Sequence, residues 1–175
     1  MSMRSRFLLV TVLLAMSRVA LAQERARFGQ PATPEEIAPW DITVEPDGDG
    51  LPPGSGTARE GAAVYAAKCQ SCHGENSTGG RAVRLAGVKG TIGAKTARIK
   101  TIGTFWPFAT TIFDYVYTAM PFQQTKSLTH DETYAVTAYL LYLNEIIGEN
   151  DKINAESLPK VKMPNRDYFV QHVSE

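Results

Sequence analysis

The chain has 175 residues, one domain's worth, with 18 Lys and Arg against 18 Asp and Glu. A composition 43% hydrophobic and 21% charged is too apolar for a disordered chain, and the even charge excludes a nucleic-acid binder that works by bulk attraction. Two cysteines exclude a disulfide-rich scaffold, so their role is specific.

At the N-terminus, Arg4 and Arg6 precede a ten-residue apolar core, Phe7 to Met16, and the small-x-small site Ala20-Leu21-Ala22. This pattern predicts a secretory signal peptide over residues 1–22. The core is too short for a hydrocarbon layer of ~30 Å, and no later stretch reaches that length, so no membrane span is expected. The mature product is expected to be soluble and periplasmic, exported unfolded by the general secretion route and given any cofactor outside the cytoplasm. Cleavage takes away three of the 18 bases and none of the acids, leaving a net charge of minus three. The remaining charge is segregated. No acid lies between Glu75 and Asp114, where Arg81, Arg84, Lys89, Lys95, Arg98 and Lys100 fall, whereas residues 131–175 carry eight acids against four bases. Such a two-signed surface orients a partner, or is simply a set of solvated loops.

Residues 23–55 are rich in Pro and Gly with no apolar period, which predicts an extended arm. Ile37, Trp40, Ile42 and Val44 are spaced to lie along a surface, with the chain's own domain favoured over a partner. Thr57 and Glu60 fit a capping box that starts a helix through Gly61, Val64 and Tyr65 to the cysteines. Residues 74–104 hold the basic cluster and seven glycines and read as loops with at most one short helix. A second helix is expected from about Thr110 to Ala119, where Ile112, Val116 and Ala119 share a face and Pro121 stops it. A third starts at Thr129, with Glu132 in the capping-box position, and continues to about Ile147 before Gly148. Val136, Tyr139, Leu140, Leu143 and Ile147 would be its buried stripe. Residues 149–175 read as a C-terminal tail. The fold class is therefore all-α, about three to five helices whose long loops need an internal cofactor to pack against.

Both cysteines fall in Cys69-Gln70-Ser71-Cys72-His73, the signature of haem c attachment. On a helical turn, residues three apart lie on one face, so two sulfurs reach the two vinyl groups of one porphyrin while the next imidazole falls under the iron. A thioredoxin-like dithiol would need a preceding strand in a βαβ setting, and a zinc site two more ligands at close spacing; the sequence offers neither.

His73 leaves one axial position, and its ligand decides the function: an open site binds or reduces small molecules, whereas a thioether favours plain electron transfer. After cleavage the only methionines are Met120 and Met163, each before a proline. Met120, at the end of the second helix, is favoured over Met163 in the tail. His130 is expected at the surface and His172 is nearly terminal. Trp106 offers an indole N–H to a haem propionate or is a core aromatic. Arg84 or Arg81 would neutralise a propionate or sit in solvent. Gly61 and Tyr65 would let the third helix approach, with Tyr139 or Tyr142 against them.

The order helix, Cys-x-x-Cys-His, loops, helix ending in Met-Pro and aromatic C-terminal helix resembles a class I cytochrome c over about residues 56–148. A narrower likeness runs through residues 42–56, residues 102–114, Ala119-Met120-Pro121-Phe122, residues 127–144 and residues 162–167. These segments resemble the cytochrome subunits of bacterial sulfite dehydrogenases and of the sulfane dehydrogenase of thiosulfate-oxidising systems. The resemblance implies Cys69 and Cys72 as thioethers, His73 and Met120 as axial ligands, and Met163-Pro164-Asn165 as a structural part of the tail. It also implies a molybdenum-cofactor dehydrogenase subunit as electron donor and a soluble cytochrome or oxidase as acceptor. Some relatives carry a second haem domain; this chain has one attachment motif. The expected function is a periplasmic monohaem electron carrier without catalysis of its own, against the alternatives of a haem protein with an open iron and of a subunit whose haem is chiefly a folding core.

Overall fold

The structure is a computed structural model that describes residues 29–88, 90, 92 and 99–169. The expected signal peptide lies outside the described residues, as do Lys89, Lys95, Arg98 and His172. The chain divides into two units, Met1–Asp41 and Ile42–Glu175.

The described part of the first unit contains an element where none was expected: a single helical turn, α1, Pro34–Ile37. Its signal is the capping box already read at Thr57. The Glu36 N–H donates to Thr33 Oγ1, the Thr33 N–H donates to Glu36 Oε2, and Pro34 supplies a preset φ at the first position. Ile37 and Trp40 are 47% and 79% exposed. From Ile42 onward, in the second unit, the arm is packed. Val44 is buried, its N–H donating to Asp114 Oδ1 at 3.1 Å, and Pro46 and Pro52 give their carbonyls to the Thr110 and Tyr134 hydroxyls.

In the second unit the helices are α2 (Ala58–Lys68), α3 (Gln70–His73), α4 (Ile102–Phe105), α5 (Ala109–Ala119) and α6 (His130–Leu143). The described strands are two residues each, β1 (Ser55–Gly56) and β2 (Ile153–Asn154), paired antiparallel with Ser55 opposite Asn154. Both expected capping boxes form, at Thr57 and at Thr129. The core gathers Tyr65, Ile112, Phe113, Val116, Tyr134, Val136, Leu140 and Leu141 between α2, α5 and α6. Each such side chain contributes ~1.5–3 kcal/mol by leaving water. The exposed Arg59–Glu149 pair at 3.4 Å adds at most ~1 kcal/mol.

The α2–α6 crossing depends on Gly61. A Cβ there would overlap the Ala135 carbonyl and crowd Tyr139, so only glycine lets the two backbones meet. One turn later the Tyr65 and Tyr139 rings pack with centroids 5.3 Å apart. Tyr139 therefore takes the expected place, and Tyr142 is exposed.

Two boundaries differ from expectation. Helix α6 stops at Leu143, and Gly148 does not end it. Glu145 takes the left-handed conformation (φ 59), its N–H bonding the Tyr142 carbonyl at 2.8 Å while the Ile146 N–H reaches Leu141 O at 3.0 Å. This is the pair of bonds of a Schellman end, made without glycine. The segment after 148 is packed: Ile153, Leu158, Met163 and Asn165 are all buried.

Gly61→Ala is predicted to destabilise the haem-loaded protein by ~1–3 kcal/mol despite alanine's better helix propensity, because the overlap falls on backbone. The midpoint of chemical denaturation checks this.

Candidate haem-attachment site

The site begins where α2 runs out. At Cys69 the backbone departs from helix (φ −120, ψ −35), and α3 restarts at once for a single turn. The Cys72 and His73 N–H groups both bond the Cys69 carbonyl, at 3.1 and 3.0 Å, so the motif is wound as one helical turn. Both thiols are free, Cys69 half-buried and Cys72 exposed. Burial, and secondarily the neighbouring Cys72, pushes the Cys69 thiol up to about 11. Cys69 is thus a protonated thiol at neutral pH, unlike the lowered thiol of a dithiol couple. A helix, not a strand, precedes the motif, and among the described residues no three His, Cys, Asp or Glu gather as a zinc site would require.

His73 is fixed by its far nitrogen. Nδ1 lies 2.8 Å from the Val83 carbonyl, which can only accept, so Nδ1 carries the hydrogen and Nε2 presents its lone pair. The Val83 carbonyl is itself held by a folded loop: the Ala82 N–H bonds Cys72 O, the Gly79 N–H bonds His73 O, and the Leu85 and Ala86 N–H groups converge on Ser77 O. Asn144 ties this loop to α6 and α4. Its Nδ2 donates to Leu85 O at 3.0 Å and to Leu140 O at 2.8 Å, and its Oδ1 accepts from the Gly103 N–H at 3.0 Å. On the near side of the motif, the buried Tyr65 hydroxyl donates to Gly74 O at 2.8 Å.

Met120 follows the last residue of α5 in an extended conformation (φ −120, ψ 148), because a residue before proline is pushed out of the helical region. It is half-buried and its bond to Pro121 is cis. Met163 is 5% exposed and part of the core. Trp106 is half-buried, edge-on to Tyr115 at 6.0 Å, at the end of α4. Arg84 is half-buried one residue beyond Val83. His130 is not the free surface residue expected: it is half-buried, with Nε2 3.2 Å from the Tyr117 hydroxyl.

Large apolar side chains lie open beside the two candidate ligands. Val83, next to the carbonyl that holds His73, is 73% exposed, and Phe122, two residues past Met120, is 82% exposed. With free thiols at the right spacing and a tautomer-fixed imidazole, the residues present fit a haem c.

Comparison with known proteins agrees. Residues 56–140 match the family described as cytochrome c oxidase, cbb3-type, subunit III. The crystal structure of the sulfane dehydrogenase SoxCD from Paracoccus pantotrophus contains a chain 40% identical, at a TM-score of 0.76 over 85% of this chain and 73% of that one. The chain belongs to the class I cytochromes c. A search of curated proteins finds no match. As a cytochrome c it is a haem c protein of electron transfer, and its mostly helical architecture is the one that the motif order implied.

The sequence reading missed the Val83 carbonyl and the Asn144 side chain, and it placed Asn165 in a structural part of the tail without its partners. Asn165 is fully buried, its Nδ2 donating to Gly103 O at 2.8 Å and its Oδ1 accepting from the Ile92 N–H at 2.9 Å. The available signal was an asparagine at the end of an apolar helix and another in a tail otherwise poor in reasons to be ordered. Asn144→Ala is predicted to cost the cytochrome ~2–3 kcal/mol by stranding the Leu85 carbonyl and the Gly103 N–H, read as a lower denaturation midpoint with the haem still attached.

Proposed function

We propose that the chain is a periplasmic monohaem cytochrome c. It receives electrons singly from the molybdenum-cofactor subunit of a sulfite or sulfane dehydrogenase and delivers them to a soluble cytochrome or an oxidase. The observation that carries this reading is the Cys69–His73 turn with its imidazole tied through Nδ1, in a chain 40% identical to one in a sulfane dehydrogenase. The signal-peptide pattern of residues 1–22 supports the compartment. Among the described residues no helix is long and apolar enough to cross a membrane.

Bound haem supplies one iron that alternates between two oxidation states, so a two-electron oxidation upstream needs two successive transfers. The chain's own residues do the rest. Cys69 and Cys72 would hold the haem as thioethers, each S–H adding across one vinyl group. His73 offers Nε2 to the iron because Val83 O occupies Nδ1. Met120, the extended residue after α5, would offer its thioether, whereas Met163 is committed to the core. Trp106 and Arg84 are assigned to the propionates, as hydrogen-bond donor and counter-charge. With His73 and Met120 as its two ligands, the haem would serve electron transfer and leave no position for a substrate.

Optical spectra of the reduced protein, with and without carbon monoxide, test the reading. The wild type is expected to be six-coordinate and unaffected. Met120→Ala is expected to bind carbon monoxide and to lose reduction potential. Met163→Ala is expected to lose ~2–5 kcal/mol of stability and leave the spectrum alone. Carbon monoxide binding by the wild type, or by Met163→Ala in place of Met120→Ala, would refute the ligand assignment.

A further inference from the structure

The second unit holds a groove of about 730 Å³ that the electron-carrier reading does not use; none of Cys69, Cys72, His73 and Met120 lines it. Three stretches of chain do. The start of α5 contributes Phe108, Ala109 and Thr110. The loop after Val44 contributes the carboxylates of Glu45, Asp47 and Asp49, and the tail contributes the cations of Lys160, Lys162 and Arg166. Asp167 stands among those bases as a fourth carboxylate.

Each stretch is fixed where it stands. The Thr110 hydroxyl donates to Pro46 O at 3.0 Å and the Val44 N–H to Asp114 Oδ1 at 3.1 Å, which fasten the acidic loop to α5. Leu158, Met163 and Asn165 are buried and fasten the tail. Loop and tail meet at Gly48, where a Cβ would overlap the Pro159 ring. Yet among the described residues none of the seven charged side chains is ion-paired. The Asp47 and Asp49 carboxylates accept the Asp49 and Gly50 N–H groups, and the Arg166 guanidinium lies 4.5 Å from the Phe108 ring centroid and donates to Phe169 O. Charges of both signs are thus gathered round one groove and held where they do not meet.

The acidic loop and the basic tail lie outside residues 56–140, the part that matches the cytochrome family and that contains Cys69, Cys72, His73 and Met120. The likeness to the sulfane dehydrogenase chain covers 85% of this chain, and so takes in most of what lies outside that part. We propose that the groove seats an extended segment of the molybdenum-cofactor dehydrogenase subunit, with a base toward Glu45, Asp47 and Asp49 and an acid toward Lys160, Lys162 and Arg166. The inference rests on that subunit being the electron donor. Charges already fixed in place need no rearrangement to pair with such a segment. Pairs of this exposed kind guide encounter and fix register. A mostly polar lining also suits a charged protein segment, since small-molecule pockets are predominantly apolar.

The test is the rate of haem reduction against the concentration of the molybdenum-cofactor subunit that reduces this chain when sulfite or a sulfane is added. Two variants are compared with the wild type, all haem-loaded: Lys160→Glu together with Lys162→Glu, and Glu45→Lys. These side chains make no hydrogen bond or ion pair among the described residues, so the fold does not depend on them. Both variants are expected to need about tenfold more of the subunit for half-maximal reduction at low salt, with the change falling on half-saturation and not on the limiting rate. The difference is expected to vanish at about 1 M salt, where charges are screened within ~3 Å. The first variant makes the chain more acidic and the second more basic, so attraction by net charge alone would move them in opposite directions. That result, or wild-type half-saturation in both, overturns the groove while the electron-carrier reading stands. If no molybdenum-cofactor subunit reduces the wild type, that reading falls and the groove's occupant with it. If the wild type self-associates and both variants do not, the groove belongs to a second copy of this chain, which also overturns the proposal.

Discussion

The hydrogen bond from His73 Nδ1 to the Val83 carbonyl is the constraint from which the site follows. An imidazole has two nitrogens, and only one can serve an iron; fixing the hydrogen on Nδ1 decides which. Much of the surrounding structure exists to keep that carbonyl in place. The loop 79–86 folds back on Cys72, His73 and Ser77 by backbone bonds, and Asn144 fastens it to the end of α6. Tyr65 holds the chain immediately after His73 from the other side, through Gly74 O. The Gly61 contact sets the distance between α2, which delivers the motif, and α6, which braces it.

The opposite side of the site is built differently. Met120 owes its conformation to local chemistry, since Pro121 ends α5 and turns the residue before it into an extended one. In the segment that follows, the Gln124 N–H closes a turn on the Pro121 carbonyl at 2.8 Å and Leu128 is buried. His73 is thus secured by backbone bonds within one loop, whereas Met120 stands at the end of a helix.

What was legible in the sequence was local. The Thr57 and Thr129 capping boxes, the Met-Pro stop, the close approach at Gly61 and the Cys-x-x-Cys-His turn each lie within a few residues and were read at their positions. The same rule applied to Thr33 and Glu36 would have found α1, which was obscured by the surrounding prolines. What was not legible depends on partners far along the chain. Asn144 meets Leu85 and Gly103, Asn165 meets Ile92 and Gly103, and Val83 meets His73 through a carbonyl that any residue would supply. Glu145 took the left-handed turn expected of Gly148 because the helix end is fixed by packing, not by the nearest glycine.

The most direct measurement of the central claim is the intact mass of the protein recovered from the periplasm of a host competent in haem c maturation. The account predicts residues 23–175 plus one haem that survives denaturation, lost on replacing Cys69 and Cys72 together. A mature chain with no added mass, or a haem that is extracted by acid and organic solvent, would contradict it.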